Sequence, residues 1–170
     1  ISLGLVGSEM CIRDSEKLFA EVARQGMPAV AMTDHGNMFG AYEFFQISKK
    51  YDGDQNPLIK PIIGIEAYVA PSTRKSRVQE FWGTSRDAGD PDAEGGKDVS
   101  GGGRYTHMTM WAKDSEGLHN LFRLSSLASY EGYYMKPRMD RELMGQYSGG
   151  IIASTGCPSG EVQTLSLIHI

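Results

Sequence analysis

Cysteine is scarce in this sequence, which has two among its 170 residues, Cys11 and Cys157. Two cysteines are too few for a disulfide framework, and neither belongs to a C-x-x-C pair. The sequence therefore predicts a reducing, cytoplasmic setting.

Long apolar runs and a strong charge bias are also missing. No stretch approaches the roughly 20 apolar residues of a membrane span, and no basic segment followed by an apolar one predicts a signal peptide. We therefore expect no membrane partner.

The charge balance is mildly acidic: Lys and Arg number 17 against 21 Asp and Glu, for a formal net charge of −4. This balance argues against binding nucleic acid by bulk charge, but it is compatible with a small metal-assisted site that acts on phosphates.

Both ends of the sequence resemble a sequencing adaptor. Residues 5–15 read as an in-frame translation of the constant end of a transposase adaptor, and residues 165–170 read as a translation of its reverse complement. One inverted repeat accounts for both ends, and such segments are set aside before a fold is predicted. We therefore predict adaptor-derived tails at 1–15 and 165–170, and a native part at 16–164 that is a fragment of a longer protein.

Helical and strand patterns alternate between these tails. Leu18, Phe19, Val22 and Ala23 form the apolar stripe of an amphipathic helix, and residues 29–33 have the length of a buried strand. The predicted elements are helix 16–25, strand 29–33, helix 39–51, strand 59–70, a long insertion at 71–104 anchored by Trp82, strand 105–112, a helix at 115–129 capped by Asp114 or Ser115, a short helix to 147 capped by Asp140, and strand 150–153. This order predicts an α/β fold with parallel strands.

Each of the four predicted strands carries one side chain that can bind a metal. His35 directly follows the first strand, and Glu66 lies late in the second. His107 lies in the third, Cys157 follows the fourth, and Asp34 precedes His35, where it can bind or fix the tautomer of the ring. Such mixed ligands suit Zn²⁺, Mn²⁺ or Fe²⁺ better than Mg²⁺ or Ca²⁺. His107 is near the start of its strand, whereas a barrel mouth is built from strand ends, so either this boundary is wrong or the segment is bent or reversed.

Each candidate ligand also has a structural alternative. Asp-His-Gly can be a turn with a half-buried histidine, Glu66 a lone acid paired with a lysine, and Cys157 a small core residue. A nucleophilic role for Cys157 is disfavoured, because Pro158 lacks the N–H that would complete an oxyanion hole. His119 lies within a predicted helix and is expected to be a surface or packing histidine.

Five stretches carry a family resemblance: MPAVAMTDHGNMFGAYEFF, IKPIIGIEAYVAP, YTHMTMWAKDSEGLHNLFRLSSLAS, YYMKPRMDRELM and GIIASTGCPSGEVQT. In this order, over residues 16–164, they resemble the N-terminal PHP (polymerase and histidinol phosphatase) domain of the bacterial DNA polymerase III alpha subunits. The insertion is similar to the actinobacterial type. The resemblance implies an incomplete, distorted (β/α)7 barrel of the TIM-like kind, with a metal site at one mouth.

The resemblance also implies a function. The parent protein is expected to be a DNA-directed DNA polymerase of DNA replication, with DNA and other replisome subunits as partners. PHP domains with an intact site can act as a 3′–5′ proofreading exonuclease. His35, Glu66, His107 and Cys157 match positions of the family's ligand set, with Asp34 beside the first.

The family's remaining ligands, a His-x-His with a following Asp and a late Asp-x-His, are expected outside residues 16–164. The resemblance therefore implies that this fragment alone is inactive. Two alternatives stay open: a stand-alone phosphoesterase of the histidinol-phosphatase type, and a non-catalytic scaffold domain.

Overall fold

The computed structural model of the chain describes residues 15–80, 103–155 and 160–162. Its elements in chain order are α1 Ser15–Arg24, β1 Ala29–His35, α2 Ala41–Ser48, β2 Lys60–Val69, β3 Thr106–Ala112, α3 Ser115–Glu131, β4 Arg138–Met139, α4 Arg141–Gln146 and β5 Ile151–Ser154. All the predicted helices and strands are present, with ends that differ by a few residues. Trp82, the predicted anchor of the insertion, lies outside the described residues.

The five strands form one mixed sheet. Its order is β1-β2-β3-β5, and the two-residue strand β4 pairs with β2 beyond the point where β1 ends. β1 and β4 are parallel to β2, whereas β3 is antiparallel to both β2 and β5. Among the described residues, β1 and β5 each have one free edge.

The prediction that all strands are parallel is wrong for β3. Parallel neighbours need a crossover connection, usually a helix, but the described parts of the chain between β2 and β3 contain none. Instead, Glu80 N donates to Gly103 O at 2.8 Å, so the two ends of the insertion meet. β3 therefore starts beside the end of β2 and runs back along it.

The two faces of the sheet differ in character. One face contributes Met32, Ile65, Ala67 and Met110 to the buried core, where they join apolar side chains of all four helices. The opposite face presents alternate residues of the same strands, which are polar or aromatic at the end of the sheet where β2 finishes. In the described ranges, no helix has both the length and the apolar character needed to cross a bilayer.

Two aspartates begin helices, as the sequence predicts. Asp114 accepts a hydrogen bond from Gly117 N at 2.9 Å at the start of α3, and Asp140 accepts one from Leu143 N at 2.9 Å at the start of α4. Each bond satisfies a backbone N–H that has no partner inside its helix. The caps fix where both helices start relative to the preceding strands.

Arg138 of β4 is a buried cation that connects several backbone segments. Its side chain is almost fully buried and donates hydrogen bonds to the carbonyl oxygens of Arg74, Ser76, Arg104 and Gly132, at 2.6–3.2 Å. Burial lowers the pKa of this guanidinium. Because three of these carbonyls lie near the two ends of the insertion and the fourth follows α3, Arg138 holds the base of the insertion against the sheet.

Asp140 adds an ion pair beside this cation. Its carboxylate accepts hydrogen bonds from Arg74 N at 2.8 Å and from the Arg74 guanidinium at 3.0 Å, in addition to Leu143 N. Burial raises the pKa of Asp140, but these hydrogen bonds and the positive charge of Arg74 outweigh it, so the pKa lies below its ordinary value. The segment after β2 is thereby tied to the start of α4.

Candidate metal centre

Three strands bring His35, Glu66 and His107 to one end and one face of the sheet. His35 is the last residue of β1 and stands in register with Glu66 of β2. His107 is the second residue of β3 and is in register with Tyr68, two positions after Glu66 and on the same face. The reversed direction of β3 explains why a residue at the start of a strand reaches a site built from strand ends.

Glu66 lies between the two histidines. Its Oε1 is 2.6 Å from Nδ1 of His107 and 3.2 Å from Nε2 of His35. The two imidazole rings meet edge to face, with centroids 5.6 Å apart. The side chains of Glu66 and His107 are 17% and 16% exposed, whereas that of His35 is 44% exposed. These three residues, the candidate ligand group, are therefore most open to solvent at His35.

The spacing of these three side chains fits a single divalent cation. One ligand atom from each residue lies within 4.8 Å of the other two. A transition metal with ligands at about 2.0–2.2 Å holds neighbouring ligand atoms roughly 3–4 Å apart. The three donor atoms are thus close to the spacing that one such ion requires. Two imidazole nitrogens and a carboxylate suit Zn²⁺, Mn²⁺ and Fe²⁺.

The turn after His35 is fixed by local hydrogen bonds. Gly36 N donates to Glu66 O at 2.9 Å, which extends the pairing of β1 and β2 by one residue. Asn37 Nδ2 donates to His35 O at 3.1 Å, and Asn37 Oδ1 accepts from Phe39 N at 3.1 Å. The backbone at His35 is therefore fixed by hydrogen bonds to β2 and within the turn that follows.

Tyr68 forms an aromatic wall beside the two histidines. Its ring lies 5.0 Å from the ring of His107 and 4.8 Å from that of Tyr105, in both cases edge to face. A Cβ added at Gly36, whose φ is +70°, would lie 2.7 Å from this ring and 2.9 Å from Pro137. Burial, with the neighbouring Tyr105 and the charge of Glu66, raises the pKa of Tyr68. The turn after His35, the Tyr68 ring and the candidate ligands thus form one packed unit.

Asp34 lies on the other face of the sheet from His35. It alternates with His35 along β1 and stands in register with the core residue Ile65. Burial raises its pKa, while a hydrogen bond from Gly40 N and the charge of His35 act against the rise. Its Oδ2 is buried and has no hydrogen-bond partner among the described residues. The contact with Gly40 connects Asp34 to the segment that leads into α2.

The other histidine and the cysteine named from the sequence have different positions. His119 is exposed on α3, where its Nδ1 lies 2.8 Å from Ser115 O, as expected for a surface residue. Cys157 lies outside the described residues. Gly160 is described and forms an isolated parallel bridge with His107, so the chain returns to the ligand group three residues after Cys157.

Sequence reasoning missed the residues that surround the ligands. Tyr68 is two positions after Glu66, and Tyr105 is two positions before His107, so strand alternation places each on the same face as its neighbouring ligand. That signal was present in the sequence. Lys136, whose Nζ lies 5.5 Å from the centre of the Tyr68 ring, was not predictable in this way because it comes from a connection between elements.

Comparisons with known proteins agree with the resemblance. The profile of the PHP domain family matches residues 8–169. DNA polymerase III subunit alpha of Saccharopolyspora erythraea is 61% identical over 147 residues, and that of Mycobacterium leprae is 55% identical over 148 residues; each alignment covers 86% of this chain and 12% of the relative. The subunit of Thermus aquaticus is 43% identical over 135 residues, which is 79% of this chain and 9% of that protein. The chain thus spans about one eighth or less of the length of these relatives.

Proposed function

Because this chain belongs to the PHP domain family, we propose that it is a large part of the N-terminal PHP domain of a bacterial DNA polymerase III alpha subunit. The identity of 61% with the subunit of Saccharopolyspora erythraea is the observation that supports this most strongly. The parent protein is then a DNA-directed DNA polymerase of the cytoplasm, with DNA and other replisome subunits as its partners.

We further propose that His35, Glu66 and His107 hold a divalent metal, Zn, Mn or Fe, as part of a 3′–5′ exonuclease site. When bound, such an ion supplies Lewis-acid stabilisation of the charge that develops as a phosphodiester is cleaved. One carboxylate oxygen of Glu66 lies 2.6 and 3.2 Å from a nitrogen of each imidazole, so the three donors are already gathered at one point. Tyr68 limits the movement of His107 by packing against its ring, and the more exposed His35 faces the side from which a substrate can approach.

Cys157 is proposed as a fourth ligand. The bridge between Gly160 and His107 supports this, because it brings the chain back to the ligand group close to that position. Asp34 is proposed to act indirectly, by ordering the segment after His35 through its bond with Gly40. The family's other ligands are proposed to lie in the parts of the parent protein that flank residues 16–164, so the site of this chain alone is incomplete and inactive.

The complete domain is proposed to close into a distorted (β/α)7 barrel. The distribution of helices supports this, because the core that includes residues of all four lies on one face of the sheet while the candidate ligands lie on the other. In a barrel, the outer face packs on helices and the ends of the strands form the site. Further strands would then pair with the free edges of β1 and β5.

The exonuclease proposal is tested in the complete polymerase, with His35→Ala as the variant. We expect 3′–5′ exonuclease activity on a labelled single strand to fall by more than about 100-fold, because one metal ligand is lost. Polymerase activity on a primed template should stay largely unchanged. His119→Ala is the matched control, since this exposed histidine lies outside the ligand group. Equal loss of both activities in His35→Ala would contradict the proposed division of labour.

The origin of the chain is tested by reading the source DNA on both sides of it. We propose that residues 1–15 and 165–170 are adaptor-derived and that residues 16–164 are native, with residues 71–104 as an insertion. A flanking sequence that supplies a His-x-His upstream and a long polymerase downstream would support this. A short gene that ends soon after a late Asp-x-His would instead favour a stand-alone phosphoesterase, and loss of the flanking ligands would favour a scaffold.

A further inference from the structure

A strained turn lies beside the candidate metal centre. Tyr134 N donates to Lys136 O at 3.1 Å, and Met135 between them has a φ of +62°. In the described part of the chain, Met135 is the only non-glycine residue with a positive φ. Such conformations persist where the surroundings impose them, and they are concentrated at functional sites.

The surroundings of this turn are rigid. Two residues after Lys136, the buried guanidinium of Arg138 is bonded to four backbone carbonyls. Pro137 packs against the turn that follows His35, since its ring carbon lies 2.9 Å from the place of a Cβ at Gly36. The turn is therefore attached to the same unit that carries the ligands.

The turn places a cation near the ligand group. Lys136 Nζ lies 5.5 Å from the centre of the Tyr68 ring, and that ring lies 5.0 Å from His107 and 6.2 Å from His35. Lys136 is exposed, and among the described residues no carboxylate oxygen lies within 4.0 Å of its Nζ. An exposed cation–π contact alone stabilises less than the left-handed backbone costs. The contact between Lys136 and Tyr68 is thus too weak to account for the turn by itself.

We propose that Lys136 is a substrate-binding residue that contacts a phosphate of the single-stranded DNA end whose scissile bond lies at His35, Glu66 and His107. This inference rests on the proposed exonuclease function and adds to it the residue that binds the substrate backbone. A lysine ammonium binds phosphate as a point charge, without base preference. The Lys136 ammonium lies over the ring of Tyr68, and that ring is in contact with His107.

The test uses the complete polymerase, loaded with Mn²⁺ or Zn²⁺, and a 5′-labelled oligothymidylate. The measured quantity is the catalytic efficiency, kcat/KM, with which nucleotides are removed from the 3′ end. Lys136→Met is expected to lower this efficiency by about 10- to 100-fold at low salt. Loss of one phosphate contact should also make the plot of log efficiency against log salt less steep by about 0.7. Metal content should stay unchanged, because Lys136 is not a ligand.

Two control variants separate charge from packing. Lys136→Arg keeps the cation and is expected to restore most of the rate and the steep salt dependence. Lys113→Met removes an exposed lysine just after β3, at the opposite end of the sheet, and is expected to behave like the unmodified protein. A Lys136→Met variant with unchanged rate and salt slope would overturn the inference while leaving the exonuclease proposal in place.

A binding measurement keeps the inference testable without catalysis. Thymidine 5′-monophosphate is titrated into the metal-loaded complete polymerase and into its Lys136→Met variant, and the heat of binding is measured. About tenfold weaker binding to the variant supports the phosphate contact even if the protein shows no exonuclease activity, in which case only the proposed function fails. Equal binding to both proteins contradicts the inference.

Discussion

Gly36 and Gly26 offer a matched pair of substitutions that tests how tightly the ligand group is packed. Their φ angles are nearly the same, +70° and +68°. A Cβ at Gly36 would lie 2.7 Å from the Tyr68 ring, whereas a Cβ at Gly26, at the end of α1, would have no atom within 4 Å. Alanine at either position therefore carries the same backbone strain, but only Gly36→Ala adds a steric clash.

The magnitudes follow from these two contributions. Left-handed backbone costs an alanine about 1–2 kcal/mol, and overpacking in a dense region costs about 1–3 kcal/mol more. We expect Gly26→Ala to lose about 1–2 kcal/mol of local stability and Gly36→Ala about 2–5 kcal/mol. Effects of alanine on the unfolded chain are similar at both positions and cancel in the comparison.

The assay is amide hydrogen exchange measured by mass spectrometry in the complete polymerase, followed in peptides that cover β1 and β2. Metal content after dialysis against a buffered Zn²⁺ solution is the second readout. Gly36→Ala should speed exchange and lower metal content, because relief of the clash moves Tyr68 or the turn after His35. Equal exchange and equal metal content in the two variants would refute the idea that the turn, the tyrosine and the ligands form one unit.

Three further predictions concern polar groups that are buried or partly buried. Arg138→Met leaves four carbonyls without their donor and should destabilise the segments 71–80 and 103–106 by about 3–5 kcal/mol, measured by hydrogen exchange. Arg138→Lys should recover part of this stability. Exchange at the original rate in Arg138→Met would contradict the anchoring role of Arg138. Asp140 has a folded pKa below its ordinary 3.8. Its contribution is therefore complete above about pH 4 and is lost as the pH falls through the folded pKa. Asp140→Asn should weaken the protection of α4 at pH 7 and flatten its acid dependence, and an unchanged acid profile would exclude this linkage. Glu66→Gln should reduce bound metal by at least about tenfold in elemental analysis. The control Glu16→Gln removes an exposed partner of Lys50 and should leave bound metal unchanged. Equal metal content in both variants would argue against the ligand group.

Much of the fold could be predicted from the sequence, because local patterns determine it. The apolar stripe of α1 and the capping aspartates 114 and 140 act within a few residues, and each predicted helix is present. The pattern of β3 did not give its direction, since an alternating strand reads the same either way, and only the position of His107 near the strand start raised a reversed segment as one alternative. The two residues of β4 are too few to form a pattern.

The candidate site was predictable in part for a similar reason. Polar residues at the ends of apolar runs identified His35 and Glu66, and the structure brings both together with His107. The distances between these three side chains depend on the register of the strands, which no local sequence pattern determines. The role of Cys157 and the closure of a barrel remain predictions, because neither rests on the described residues.

The reversal of β3 has a consequence for how this region can vary in evolution. The insertion leaves the sheet after β2 and returns to β3 at the same end, where Glu80 and Gly103 are hydrogen-bonded. Loop-closure entropy grows slowly with length, so residues can be added or removed between these points at little cost in stability. Such changes leave the register of Glu66 and His107 untouched, because β2 and β3 pair directly. A lineage can therefore change the length of the insertion without altering the candidate metal centre.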